Sequence, residues 1–188
     1  PLPVFILQCQ QALTEALGRH SRTRGLPDSV GLPRKIALDL LAVRARSEHE
    51  LRQAMARRNV PADIADELLS RFVEVGLIDD AAFAATLVRS RSEFSHRGRA
   101  RIRQELREKG VDREVAEEVL AELDPADERA AALELAYRKV RSMASLERQV
   151  AYRRLAGMLA RRGYGPGTVS SVLAEVVGDP AVEFSTAG

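Results

Sequence analysis

The sequence predicts an all-α protein made of three tandem three-helix repeats, each holding a helix-turn-helix, strung into an elongated, curved rod. Three observations carry that reading. The 188 residues are rich in Ala, Leu, Glu and Arg but only 4% aromatic, with no Trp, which suits helices and supplies sheets poorly. Three segments align without a gap: LRQAMARRNVPADIADELL from Leu51, IRQELREKGVDREVAEEVL from Ile102 and LAGMLARRGYGPGTVSSVL from Leu155. Within each, apolar columns spaced i, i+4, then a turn column, then i, i+4, i+5, describe two amphipathic helices meeting at a sharp bend.

In chain order, residues 1–33 hold Gly18, Gly25, Pro27, Gly31 and Pro33 among isolated arginines and read as a loosely held lead. The first repeat spans 34–78. Its first helix is predicted at Ile36–Ala45, its second opens on the capping box Ser47-x-x-Glu50, and its third follows Pro61. The second repeat, 79–123, opens with Asp79 as N-cap and Asp80 as first-turn acid ahead of Ala81–Arg91, and Asp112 caps its last helix. The third, 124–177, starts its first helix, Ala126–Val140, on Asp124-Pro125 and its last on Gly165-Pro166. Residues 178–188 read as a tail.

Asn59, Gly110 and Gly163 share one column, and these residue types accept positive φ cheaply, so that column closes the middle helix of each repeat. The predicted core columns are Leu51/Ile102/Leu155, Met55/Leu106/Leu159, Val60/Val111/Tyr164, Ile64/Val115/Thr168, Leu68/Val119/Val172 and Leu69/Leu120/Leu173, with Val169 standing in at the one polar position, Thr168. A unit of this size has a thin core, and stacked neighbours bury what it cannot cover alone.

Several classes are excluded or unsupported. A single cysteine, Cys9, makes no internal disulfide, and His20, His49 and His96 lie too far apart for a helical metal site. GYGPGT, Gly163–Thr168, lacks the lysine and preceding strand of a phosphate loop. No nucleophile, base or metal grouping points to an enzyme, and no cofactor is expected. No apolar run approaches the roughly 18–20 residues of a membrane span, so a cytoplasmic protein is expected.

The formal charge is only +2, so any attraction to polyanions depends on distribution. The middle helices are basic: Arg97–Lys109 holds six cations against Glu105 and Glu108, and Leu146–Arg162 holds five against Glu147. The last helices are acidic or neutral, so the two signs are expected on opposite flanks of the rod. Arg99, Arg103 and Arg107 recur every four residues, and unpaired like charges at that spacing cost about 0.2–0.5 kcal/mol per pair. A partner-facing stripe and a solvated face explain them equally well. Arg57/Arg58, Lys109 and Arg161/Arg162 recur at helix ends, where cations offset the dipole, and for those the structural reading leads. Duplex readout by the last helices is disfavoured by Glu114, Glu117, Glu118 and Glu122. The stacking aromatics expected of a dedicated single-strand binder are missing, so only non-specific phosphate contact by the basic helices is left open.

KGVDREVAEEVL, ARRGYGPGTVSSVL, VGLIDDAAFAATLVRSR and HRGRARIRQEL, in that order and spacing, resemble the RecX family over about Lys35–Val177. The resemblance implies a regulator that lies in the helical groove of the RecA filament on DNA and lowers filament extension, ATP hydrolysis, strand exchange and coprotease activity in DNA repair and the SOS response. It implies structural roles for Asp79, Asp80 and Phe83. Its matching arginines, Arg97, Arg99, Arg101, Arg161 and Arg162, together with Arg103, Arg107, Lys109, Arg153 and Arg154 from the basic helices, are the candidates for contact with RecA or with DNA phosphates. Ala100 stands where that family commonly has Pro. The expected form is a monomer with at most weak DNA binding of its own. A basic DNA-binding protein that acts without RecA is the alternative reading.

Overall fold

Nine helices run through residues 31–178, the part described by the structure, a computed structural model. They are α1 (Gly31–Val43), α2 (Glu48–Ala56), α3 (Ala62–Glu74), α4 (Asp80–Arg89), α5 (Arg99–Glu108), α6 (Arg113–Ala121), α7 (Pro125–Val140), α8 (Arg148–Arg161) and α9 (Pro166–Val176). One wide π turn, Ser90–Phe94, follows α4, and a 3₁₀ turn, Arg141–Met143, follows α7. No strand occurs among the described residues. The helices form three three-helix modules, α1–α3, α4–α6 and α7–α9. Most of the expected lead and all of the tail beyond Gly178 lie outside the described residues.

The turn column behaves as its residue types require. Asn59, Gly110 and Gly163 all have positive φ, at 57°, 72° and 91°. Leu51, Ile102 and Leu155, and Met55, Leu106 and Leu159, are all 0% exposed. Leu69, Leu120 and Leu173 are likewise buried. One column needs correcting throughout: Ile64, Val115 and Thr168 are only half-buried, and the buried position is the next one, Ala65 and Ala116; in two other columns the single members Val60 and Val119 are also only half-buried. In α3 the stripe Ala65, Leu68, Leu69, Phe72 keeps i, i+3, i+4, i+7 spacing, which a column at position 64 breaks.

The described residues divide into two compact units. One holds residues up to Phe83 together with Lys109–Val111, and the other holds Ala84–Glu108 with the chain from Asp112. The first has a core of Ala37, Leu51, Met55, Ala65, Leu68, Leu69, Phe72 and Ile78. The second centres on Leu135, Leu155, Leu159, Tyr164, Val172 and Leu173.

Each unit contains a joint in which the start of a middle helix receives the turn and first helix of the following module. In the first unit Ser47 Oγ accepts from the Glu50 N–H (3.2 Å) and donates to the Lys109 carbonyl (2.6 Å). The Asp80 carboxylate accepts from the Glu48 N–H (2.9 Å), so it caps α2 rather than serving only the start of its own helix. Asp79 does the local capping, accepting from the Ala82 N–H (2.8 Å). In the second unit the Gly98 N–H donates to the Arg162 carbonyl (2.9 Å), the Ala100 N–H to the Gly163 carbonyl (3.2 Å), and the Arg99 N–H to Glu128 Oε1 (2.9 Å). Ser47 and Gly98 are aligned repeat positions, as are Lys109 and Arg162, so the joint is itself repeated.

The expected capping box is only half made. Glu50 does not return to Ser47. Its carboxylate is held by Arg44 (2.9 Å) and Lys109 Nζ (2.6 Å). Two cations offer it more than one backbone N–H does.

Candidate partner-binding surface

The middle helices of the first two modules turn basic residues toward the acids of the helix that follows them. Arg52 meets Asp66 (2.8 Å) and Arg103 meets Glu117 in a two-pronged contact (2.5 and 2.9 Å). These pairs occupy equivalent repeat positions fourteen residues apart. The Glu117 hydrogen bond raises the Arg103 pKa. In these two modules opposite charges are thus segregated by helix but joined across the helix-turn-helix rather than held on separate flanks, because one helix folds against the other.

The candidate cations separate accordingly. Arg97 Nη1 donates to Glu105 (2.5 Å), which also receives Arg91 (2.6 Å) and is itself buried. Chiefly through its hydrogen bonds with Arg91, the Glu105 pKa is lowered. Arg99 donates to the Leu123 carbonyl, and its Nε lies 3.1 Å from Glu128 Oε2 as an ion pair rather than an aligned hydrogen bond. Lys109 is tied to Glu50. The stripe expected from Arg99, Arg103 and Arg107 is therefore compensated at two of its three positions, and its like-charge cost is offset. Arg107 is exposed and makes no ion pair among the described residues.

The remaining candidates gather in two grooves of the second unit. One, of about 660 Å³, is lined by Lys139, Met143, Val150, Arg153, Arg154, Gly157, Met158 and Arg161. Four cations and no carboxylate surround a floor of Met and Val, and none of the four makes an ion pair among the described residues. The other, of about 650 Å³, is lined by Phe94, Ser95, His96, Arg97, Arg101, Arg138, Arg161 and Arg162. Here Arg162 Nη1 donates to the Ser95 carbonyl (2.7 Å), and the Tyr164 hydroxyl donates to the His96 carbonyl (2.9 Å). Arg161 borders both.

Lys139, Arg138 and Phe94 escaped the sequence reading. The run Arg138, Lys139, Arg141 was visible in the sequence as a basic helix end. Phe94 was not: it lies in the π turn and is 80% exposed beside arginines, so an aromatic next to cations is present after all.

Models of the three three-helix domains of RecX match this chain in order, the first over residues 34–72, the second over 79–120 and the third over 127–173. The chain belongs to the RecX family. Regulatory protein RecX of Amycolatopsis mediterranei is 41% identical over 142 residues, covering 76% of this chain and 81% of the relative. Regulatory protein RecX of Mycolicibacterium smegmatis is 44% identical over 144 residues, covering 74% and 77%. The crystal structure of RecX from Lactobacillus salivarius superposes with a TM-score of 0.73 at 19% identity, covering 79% of this chain and 97% of that one, a likeness of fold. RecX is a regulatory family, and the arginine-lined grooves belong to the second and third RecX modules. No described helix is long and apolar enough to cross a membrane.

Proposed function

We propose that this RecX-family chain is a negative regulator of the RecA recombinase, binding along the groove of the RecA filament on DNA in the cytoplasm. It then limits filament extension, ATP hydrolysis, strand exchange and coprotease activity in DNA repair and the SOS response. The observation that carries this reading is the ordered match to all three RecX modules. The two cationic grooves support it: Lys139, Arg153, Arg154 and Arg161 of the first are exposed and make no ion pair among the described residues, whereas in the second Arg97 and Arg138 are engaged by Glu105 and Glu134. A chain of several modules engaging several protomers gains avidity from each contact. On this reading the protein acts as a monomer, without catalytic residues or cofactor.

The test is RecA ATP hydrolysis on single-stranded DNA, titrated with this protein well below one copy per RecA. Hydrolysis falls if the reading is right and is undiminished if it is wrong. A second reading, DNA binding independent of RecA, draws support from Phe94 beside Arg97, Arg101 and Arg162, a base-stacking arrangement. It requires tight binding to DNA alone that weakens steeply with salt.

A further inference from the structure

Two of the three modules show what the start of their middle helix receives; at the aligned positions of the third, Ala151 is buried in its own module's core and Arg153 and Arg154 are exposed. In the first module the receiving positions are 47–50: Ser47 and Glu50 hold Lys109, and His49 lies so close to Gly110 that a Cβ there would stand 2.3 Å from His49 Cβ. In the second they are 98–101, where Gly98, Ala100 and Arg101 hold Arg162 and Gly163. The aligned positions of the third module are 151–154, and Arg153 and Arg154 line the 660 Å³ groove.

This third receiver is built differently. The α8 helix starts a full turn earlier than α2 and α5 do in the alignment, so the Ala151 N–H is consumed by the Glu147 carbonyl (3.0 Å), whereas the aligned Gly98 N–H is offered to the next module. Where Gly98 offers a backbone donor, the exposed groups at this receiver are the guanidinium groups of Arg153 and Arg154, which reach further and grip carboxylates with two prongs.

Charge and polarity specify the occupant. At the existing joints the signs are complementary, Glu50 with Lys109 and Arg99 with Glu128. A receiver carrying only Lys139, Arg153, Arg154 and Arg161 calls for acid. A second copy docking in register would bring in its exposed Arg57 and Arg58, which repel. The lining is more apolar than polar and includes the half-buried Val150 and Met158 beside the buried Met143, and a phosphate backbone would leave that floor uncovered. Thioethers adapt well to an apolar helix face.

We propose that this groove docks an acidic, amphipathic segment of the partner protein, seated where a following module would sit. It rests on the RecA reading, for which it names the contact and its chemistry.

The test uses the full chain carrying a fluorescent label, titrated by anisotropy with DNA-free RecA and, separately, with oligo(dT). Arg153→Glu with Arg154→Glu is expected to weaken RecA binding roughly tenfold or more. Val150→Asp is expected to weaken it as well, while Arg113→Glu, on α6 and away from the groove, is expected to bind as wild type. An unchanged melting temperature shows that the variants remain folded. Equal RecA binding by the double variant overturns the proposal, as does a loss confined to oligo(dT), which would make nucleic acid the occupant. A wild-type dimer that the double variant dissolves also overturns it, in favour of a second copy. A wild-type chain that neither binds nor inhibits RecA brings down the regulatory reading itself, a result distinguishable from the others because it appears before any substitution is made.

Discussion

Glu50 sits at the start of α2 with its carboxylate between Arg44 and Lys109, and the hydrogen bond from Arg44 first, then that from Lys109, holds its pKa down to about 2 against an ordinary 4.5. A carboxylate whose folded value lies below its unfolded one stabilises the fold above the unfolded pKa. That stabilisation is lost as pH falls through the folded value, so this joint should weaken between about 4.5 and 2. Glu50→Gln removes that acid-sensitive component, which chemical denaturation across pH 2–6 would record as a flatter profile. Asp80 works in the opposite sense, because burial raises its pKa and its protonation is favoured in the fold. Tyr164 has its pKa pushed up to about 12, first by burial, so stability should fall as pH rises from 10 toward 12. Tyr164→Phe should abolish that alkaline loss while costing about 1 kcal/mol for the bond to His96. The capping motif at Ser47 was legible as local spacing. The diversion of Glu50 was not, because Lys109 is 59 residues away along the chain.

At the scale of elements, the joint between α5 and the α8–α9 turn depends on two glycines meeting backbone to backbone. A Cβ on Gly98 would stand 2.4 Å from the Gly163 carbonyl carbon, and one on Gly163 would stand 2.3 Å from the Arg101 nitrogen at a φ of +91°. Gly163→Ala should therefore cost about 2 kcal/mol or more, from crowding and left-handed strain together. Hydrogen exchange should rise in α5 and α8 together, and exchange confined to α8 would show that the joint carries no stability. Gly163 was legible as a helix-closing turn residue. Its second duty, admitting the preceding helix, was not, because that demand comes from a neighbour rather than from its own backbone. The same distinction separates Arg99 from Arg107. Arg99→Glu should destabilise by about 1–3 kcal/mol by breaking its bonds to Leu123 and Glu128, whereas Arg107→Glu should change stability by less than about 0.5 kcal/mol. Thermal melts of the two variants side by side measure the difference.

Across the whole molecule, core and surface follow separate rules. Leu159→Ala removes a fully buried side chain from the core of the second unit and should cost about 2–5 kcal/mol. Arg153→Glu with Arg154→Glu, on an exposed face without ion pairs, should stay within about 0.5 kcal/mol of wild type per site. Denaturant midpoints test both, and a large loss in the arginine variant would mark those residues as structural. By itself, the sequence determined the helical class, the threefold repeat, the turn column and most core positions, because burial periodicity and the need for positive φ are written within a turn or two of chain. Only the tertiary structure decided which arginines are paired, where Glu50 and Asp80 reach, that Phe94 is exposed, and that Lys139 joins Arg153 and Arg154 around one apolar floor. Those outcomes depend on side chains separated by many residues, and their distances exist only once the helices have packed.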